Sequence, residues 1–367
     1  MYRLKTASNN QTSLKWDSPS VQVLSQLLRI ALGKEEPSSL PNDVNWQEVY
    51  NLSLKQGVGA IVCDGMLAIK DCGIDEELKY KWMGQSMVIE QKSKARWRAL
   101  CQLAELFAQH GIKTNVLKGF SYASFYPNPF HRPSSDLDIC LLDDFEKGNQ
   151  VVEKVGIDVN RSESKHSHFT FNGVHVENHQ FCVGVKGSKV DKAIDLFLKS
   201  LLETSECTLG NTNVIKPNWL FNAFFFMCHA RTHFLIEEGI TLKNVCDWAL
   251  LKDCKVEDGD RELFWTKCDE FGLMKFASAI DEVAGFVFGG NHLSDLGGRL
   301  LQDILSVKTH KHNKNKAMAH LNILRMIWEN RWKYSLFSDT TPINMFFKYG
   351  YGFFFERNIS QYDLKEW

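Results

Sequence analysis

The sequence contains no C-x-x-C pair although it holds 10 cysteines. Without that spacing a zinc ribbon or a thioredoxin-like redox site is excluded. The cysteines are scattered, and several, such as Cys140 and Cys228, sit inside apolar runs, which fits buried free thiols in a reducing compartment. An excess of charge is also missing: 43 Lys and Arg stand against 44 Asp and Glu, a net −1. Bulk charge therefore gives no grip on nucleic acid or an acidic surface. The N-terminal segment lacks the apolar centre of a signal peptide. The longest apolar run, near Trp219 to Cys228, is about half of what a membrane span needs. A cytoplasmic protein with no membrane partner is expected. Neither Gly-x-Ser-x-Gly nor His-Glu-x-x-His occurs, which argues against a nucleophile elbow and a zinc protease. No internal repeat is visible.

What is present is an ordinary globular composition, 44% hydrophobic and 24% charged over 367 residues. At about 150 residues per domain, the length suggests two or three domains. Residues 1–20 are polar. From residue 21 to 110 apolar positions recur at helical spacing: Ser18 to Leu32, Trp46 to Gln56, Val58 to Ile69, and a long stretch from Asp75 to Gln109 opened by acidic residues. The pattern changes over 111–190. A short strand ends in Lys118-Gly119, a loop with three prolines follows, and Asp136 to Leu142 reads as a strand. Residues 144–155 suit a helix, and His168 to Asn172 with Val174 to Phe181 read as a hairpin around Asn172-Gly173. Helical periodicity returns over 191–367. The expected fold is α/β in the α+β sense, with a small mixed-sheet core between two helical regions.

Asp136 and Asp138 carry the first chemical signal. On a strand, residues two apart share a face, so both carboxylates point one way and Leu137 and Ile139 point toward a core. Such a pair repels unless a cation lies between, and Mg²⁺, a hard ion satisfied by one or two carboxylates, is the usual occupant. Upstream, Gly119 lets backbone approach a phosphate, Ser121 begins a short helix, and Lys118 and Arg132 bring positive charge. On the later hairpin, His175, Glu177 and His179 share one face. If that strand lies beside the Asp136–Asp138 strand, Glu177 completes a cradle for divalent ions that assist phosphoryl displacement.

This set resembles the polymerase-β-like nucleotidyltransferase superfamily. It is most similar to a bacterial family of uncharacterised nucleotidyltransferases that shares Leu117-Lys118-Gly119, Tyr126-Pro127, Arg132 and Asp136-Leu137-Asp138-Ile139. Glu177-Asn178-His179, His229 with His233, and Asp247-Trp248 match its later elements, and the resemblance runs from about Trp46 to Leu250. It implies a polymerase-β-like core and NMP transfer from an NTP to an acceptor hydroxyl with release of pyrophosphate. Asp136, Asp138 and Glu177 would be catalytic and would bind Mg²⁺ or Mn²⁺. Lys118, Gly119, Ser121 and Arg132 would bind nucleotide, and His179, His229 and His233 would line a substrate pocket. Here the turn reads Gly-Phe-Ser rather than Gly-Ser, and the third acid is Glu rather than Asp. The acceptor is not named by the sequence, and nucleic acid is not expected. The alternative is a nucleotide-binding sensor or partner module without catalysis.

Two other patterns compete. His175, Glu177 and His179, with His166 and His168 nearby, are a ligand set for zinc or iron. Lys308 to Lys316, and the aromatic segment Met345 to Phe355, read as a solvated loop and as packing on the helical body.

Overall fold

The computed structural model describes residues 15–163, 165–184, 189–236, 239–256, 258–306 and 330–338. The basic stretch Lys308–Lys316, the tail Met345–Phe355 and residues 317–329 lie outside the described residues.

Local sequence sets the first helices. Helix α1 (Pro19–Ala31) starts where the Ser18 hydroxyl accepts from the Val21 N–H and Pro19 presets the backbone. Helices α2 (Trp46–Lys55) and α3 (Gly59–Ala68) follow. Helix α4 (Glu76–Ala108) is capped by Asp75 and opens with Glu76 and Glu77 against the helix dipole. Its 33 residues span about 50 Å. That length lets it serve two cores, with Trp82 in one and Leu100, Leu103 and Phe107 in the other.

The middle of the chain supplies the sheet: β1 (Thr114–Val116), β2 (Leu137–Cys140), β3 (His166–Phe171), β4 (Val174–His179) and β5 (Val214–Ile215). Its order is β3-β4-β2-β1-β5. β2 pairs antiparallel with β1 and parallel with β4, β3 pairs antiparallel with β4, and β5 pairs parallel with β1. The β3–β4 turn has φ +50° at Asn172 and +77° at Gly173, the left-handed pair that Asn-Gly tolerates. Helices α5 (Phe120–Ala123) and α6 (Phe145–Lys154) connect these strands, and α7 (Lys189–Glu203) leads away. The last body comprises α8 (Trp219–Ile236), α9 (Leu242–Lys252), α10 (Asp258–Glu270), α11 (Met274–Val287) and α12 (Asp295–Leu305).

The two faces of the sheet differ. Leu137, Ile139, Val174, Val176 and Phe169 pack with the second half of α4 and with Val151 and Val152 of α6. The opposite face carries Asp138, Glu177 and His179 toward the helical body. In that body, α1–α3 and α8–α12 share one apolar core. The helical regions expected on either side of the sheet are both present, and they also pack on each other. Arg29 Nη1 donates to the Val287 carbonyl at 3.3 Å, and the Gln56 amide donates to the Ile304 carbonyl at 3.0 Å. No helix among the described residues is long and apolar enough to cross a membrane. All ten cysteines are free.

Candidate active site

β2 and β4 bring the carboxylates together through register. Asp138 stands opposite Glu177 in the parallel pair, and Asp136 precedes β2. One oxygen from each of Asp136, Asp138 and Glu177 lies within 4.8 Å of the others. Ser135 Oγ donates to Asp136 Oδ1 at 3.0 Å, and Ser134 Oγ donates to the Asp136 carbonyl at 3.1 Å, fixing the residue at the mouth of the strand.

Asp138 is the deepest of the three, its side chain fully buried. Its Oδ1 is 3.0 Å from Lys118 Nζ and 3.1 Å from His179 Nε2, while Oδ2 is buried without a hydrogen-bond partner. Burial alone would raise its pKa. The Lys118 charge and the His179 hydrogen bond outweigh burial and hold it below the ordinary carboxylate value. An orphaned carboxylate oxygen beside two further carboxylates is a hard-oxygen donor set that fits a small divalent cation.

Glu177 is also opposed by burial. The hydrogen bond and charge of His179, with His166 and Lys118 behind, hold it well below the usual range. His179 is pushed above its ordinary value by Asp138 and Glu177, against its own burial. The structure thus places His179 against both Asp138 and Glu177. Its neighbour His166 is pushed down to about 3, first by burial and then by the His179 charge.

Cations converge from several elements. Besides Lys118 there are Lys165, ahead of β3, and Lys243 in α9. Burial depresses both amines, each is depressed further by the Lys118 charge, and Lys243 comes down to about 8. His229 in α8 is lowered by burial and then by Lys118, His233, Lys165 and Lys243, which puts it beside the same cluster. His229 Nε2 lies 2.9 Å from His233 Nε2. Burial lowers the Arg96 guanidinium of α4, and the Asp136 charge opposes that shift. Lys165, Lys243 and Arg96 escaped the sequence reading. The one available signal was at Lys243, one helical turn before Asp247.

Two residues expected on phosphate face elsewhere. Ser121 is fully buried, and its Oγ donates to Asn222 Oδ1 of α8 at 2.7 Å. Arg132 makes a buried fork with Asp247: Nε to Oδ1 at 2.6 Å and Nη2 to Oδ2 at 2.7 Å. Its remaining Nη1 donates to the Gly119 carbonyl at 3.4 Å. With all three nitrogens engaged, Arg132 is a positioning residue for the turn. Gly119 has φ +57° and ψ −105°, a conformation that only glycine adopts without strain. The Lys118-Gly119 turn is therefore set by backbone geometry and by an anchor on α9.

A family model described as an uncharacterised nucleotidyltransferase matches residues 42–289, well over half of the chain. The chain belongs to this nucleotidyltransferase family. The match runs from just before α2 to the end of α11 and contains every residue of this site. The mixed five-stranded sheet flanked by helices is consistent with a nucleotidyltransferase fold. No curated protein and no solved structure matches this nucleotidyltransferase.

Proposed function

We propose that this nucleotidyltransferase moves an NMP from an NTP to an acceptor hydroxyl and releases pyrophosphate, with a divalent metal ion as cofactor. The supporting observation is the grouping of Asp136, Asp138 and Glu177 around Lys118, 3.0 Å from Asp138, with the charges of Lys165 and Lys243 felt at the same groups. In this reading the lysines hold the triphosphate. Mg²⁺ or Mn²⁺ held by the three carboxylates would neutralise charge on the phosphate oxygens. The acceptor hydroxyl gives its proton to solvent as its oxygen bonds to the α-phosphorus, the bond to the β-phosphate oxygen breaks, and pyrophosphate leaves. Glu177, held as an anion by His179, His166 and Lys118, contributes negative charge to the cradle. Phe120 and Ser121 build the turn, and Arg132 keeps its shape from behind.

Nucleotide binding without transfer is the alternative. The feature that favours it is the Lys118 ammonium 3.0 Å from Asp138 Oδ1, which already neutralises that carboxylate. Incubation with each NTP and Mg²⁺, followed by pyrophosphate detection, separates the two. Transfer predicts pyrophosphate that disappears in EDTA. Calorimetric binding with no pyrophosphate under any NTP would leave the alternative.

Lys243 gives a pH test. With its pKa at about 8, it begins to lose charge just above neutrality. A bound triphosphate favours the ammonium, so binding takes up a proton and NTP affinity falls as pH rises through 8. Lys243→Met should flatten that slope and weaken binding of a non-hydrolysable NTP at pH 7 by about 1–3 kcal/mol. An unchanged slope in titrations at pH 7 and 9 would remove Lys243 from the phosphate site.

A further inference from the structure

The polar face of the sheet does not end at Glu177. Beyond it lies the edge strand β3, whose register sets His168 opposite Glu177 and His166 opposite His179. Period two therefore puts His166 and His168 side by side, with His175 two places along β4 from Glu177. Glu163, in the turn before β3, folds over both imidazoles. Its Oε2 is 3.0 Å from His166 Nε2 and its Oε1 is 3.0 Å from His168 Nε2. One ligand atom from each of these three residues lies within 4.8 Å of the others.

The contact at His168 is not a hydrogen bond. Its Nε2 is buried without a hydrogen-bond partner although the Glu163 oxygen is 3.0 Å away. Its other nitrogen, Nδ1, is 3.3 Å from His175 Nε2. With the proton on Nδ1 and donated to His175, the Nε2 lone pair is free and the Glu163 oxygen sits beside its axis, as two ligands sit around a cation. His166 adds a second buried nitrogen, Nδ1, without a hydrogen-bond partner.

We propose that Glu163, His166 and His168 form a second metal site, for an ion of the zinc class, distinct from the Asp136–Asp138–Glu177 cradle. Two imidazoles and one carboxylate suit Zn²⁺, whereas Mg²⁺ prefers oxygen alone. Zn–N bonds of about 2.0–2.1 Å place tetrahedral ligands roughly 3.3 Å apart, close to the observed 3.0 Å edges. His175 then orients His168 through its far nitrogen, the usual support for a ligating imidazole. Such an ion would tie the turn at Glu163 to the sheet edge, where Asn160 already exchanges backbone hydrogen bonds with His168 at 2.8 Å in both directions.

The test uses the full chain, stripped with chelator and titrated with Zn²⁺ by calorimetry, with Co²⁺ d–d absorption as a second readout. One equivalent of Zn²⁺ should bind and should resist excess Mg²⁺. His168→Gln should weaken it by at least about tenfold. Glu163→Gln, on a partly exposed turn, should do the same without loss of the wild-type melting transition. Asp138→Asn should bind Zn²⁺ as the wild type does. Unchanged affinity in both His168→Gln and Glu163→Gln, displacement by Mg²⁺, or loss of binding in Asp138→Asn would overturn the proposal, the last by placing the ion in the cradle.

Discussion

Asp138→Asn is expected to lower NMP transfer by at least about 10³-fold at saturating Mg²⁺. The residue contributes a full negative charge to the cradle, and its Oδ2 is the buried oxygen with no protein partner. A metal at such a site supplies several kcal/mol of transition-state charge stabilisation, and each 1.36 kcal/mol is about tenfold in rate. The substitution also reaches into stability. Asp138 Oδ1 is in contact with both Lys118 and His179, so Asn leaves two cations facing a neutral amide. Relief of repulsion with Glu177 offsets part of that loss, and a net cost of about 1–3 kcal/mol is expected. The cost has a pH signature. Asp138 is depressed, so its contribution is present above the ordinary carboxylate pKa and fades as pH falls through the folded value. His179 is raised, so its share is complete below its ordinary 6.5 and is lost as pH rises through the raised value. The gap in melting temperature should therefore be widest in mildly acidic buffer and should narrow above neutrality. Rates taken well below both melting temperatures separate chemistry from unfolding. Transfer within tenfold of wild type would remove Asp138 from the reaction.

The sequence carries some of this and hides the rest for physical reasons. Asp138 was legible because strand alternation is a local property, whereas Asp136, expected on the same strand, lies just ahead of it. Leu137 and Ile139 go to the apolar core, and Asp138 is left on the other face. Glu177 followed from the hairpin, since Asn172-Gly173 fixes the turn and the turn fixes which side chains share a face. The bounds of α4 were readable from Asp75 and the acidic first turn. Strand β5 was not, because two residues give alternation nothing to show. The closing of α1–α3 onto α8–α12 was not readable either, since amphipathic faces do not name their partners. Ser121 and Arg132 show the same limit at the site. A serine after a glycine turn, and an arginine before an acidic strand, carry the same residue types whether they face phosphate or protein. Asn222 and Asp247, which claim them, lie 101 and 115 residues away in sequence.

That reassignment makes Arg132→Ala a folding variant before it is a binding variant. The Arg132 and Asp247 side chains are 4% and 2% exposed, and the Tyr126 hydroxyl also donates to Asp247 Oδ1 at 2.7 Å. Arg132 holds Asp247 below its ordinary value against its own burial. Removing the guanidinium leaves a buried carboxylate with Tyr126 and a partly compensating Lys243. Breaking one side of a buried pair costs about 3–5 kcal/mol, and urea denaturation of Arg132→Ala should show a loss of that size. Replacing both members, as in Arg132→Met with Asp247→Leu, removes the stranded charge and should recover most of the stability. Transfer should stay low in the double variant, because the Gly119 carbonyl has lost the Nη1 donor and Lys243 has lost the Asp247 carboxylate that favours its charge. Stability and activity then separate in one protein, as expected for a positioning residue. If Arg132→Ala instead denatures like the wild type while NTP affinity falls tenfold or more, the guanidinium faces phosphate in solution and the Asp247 fork is not what holds the turn.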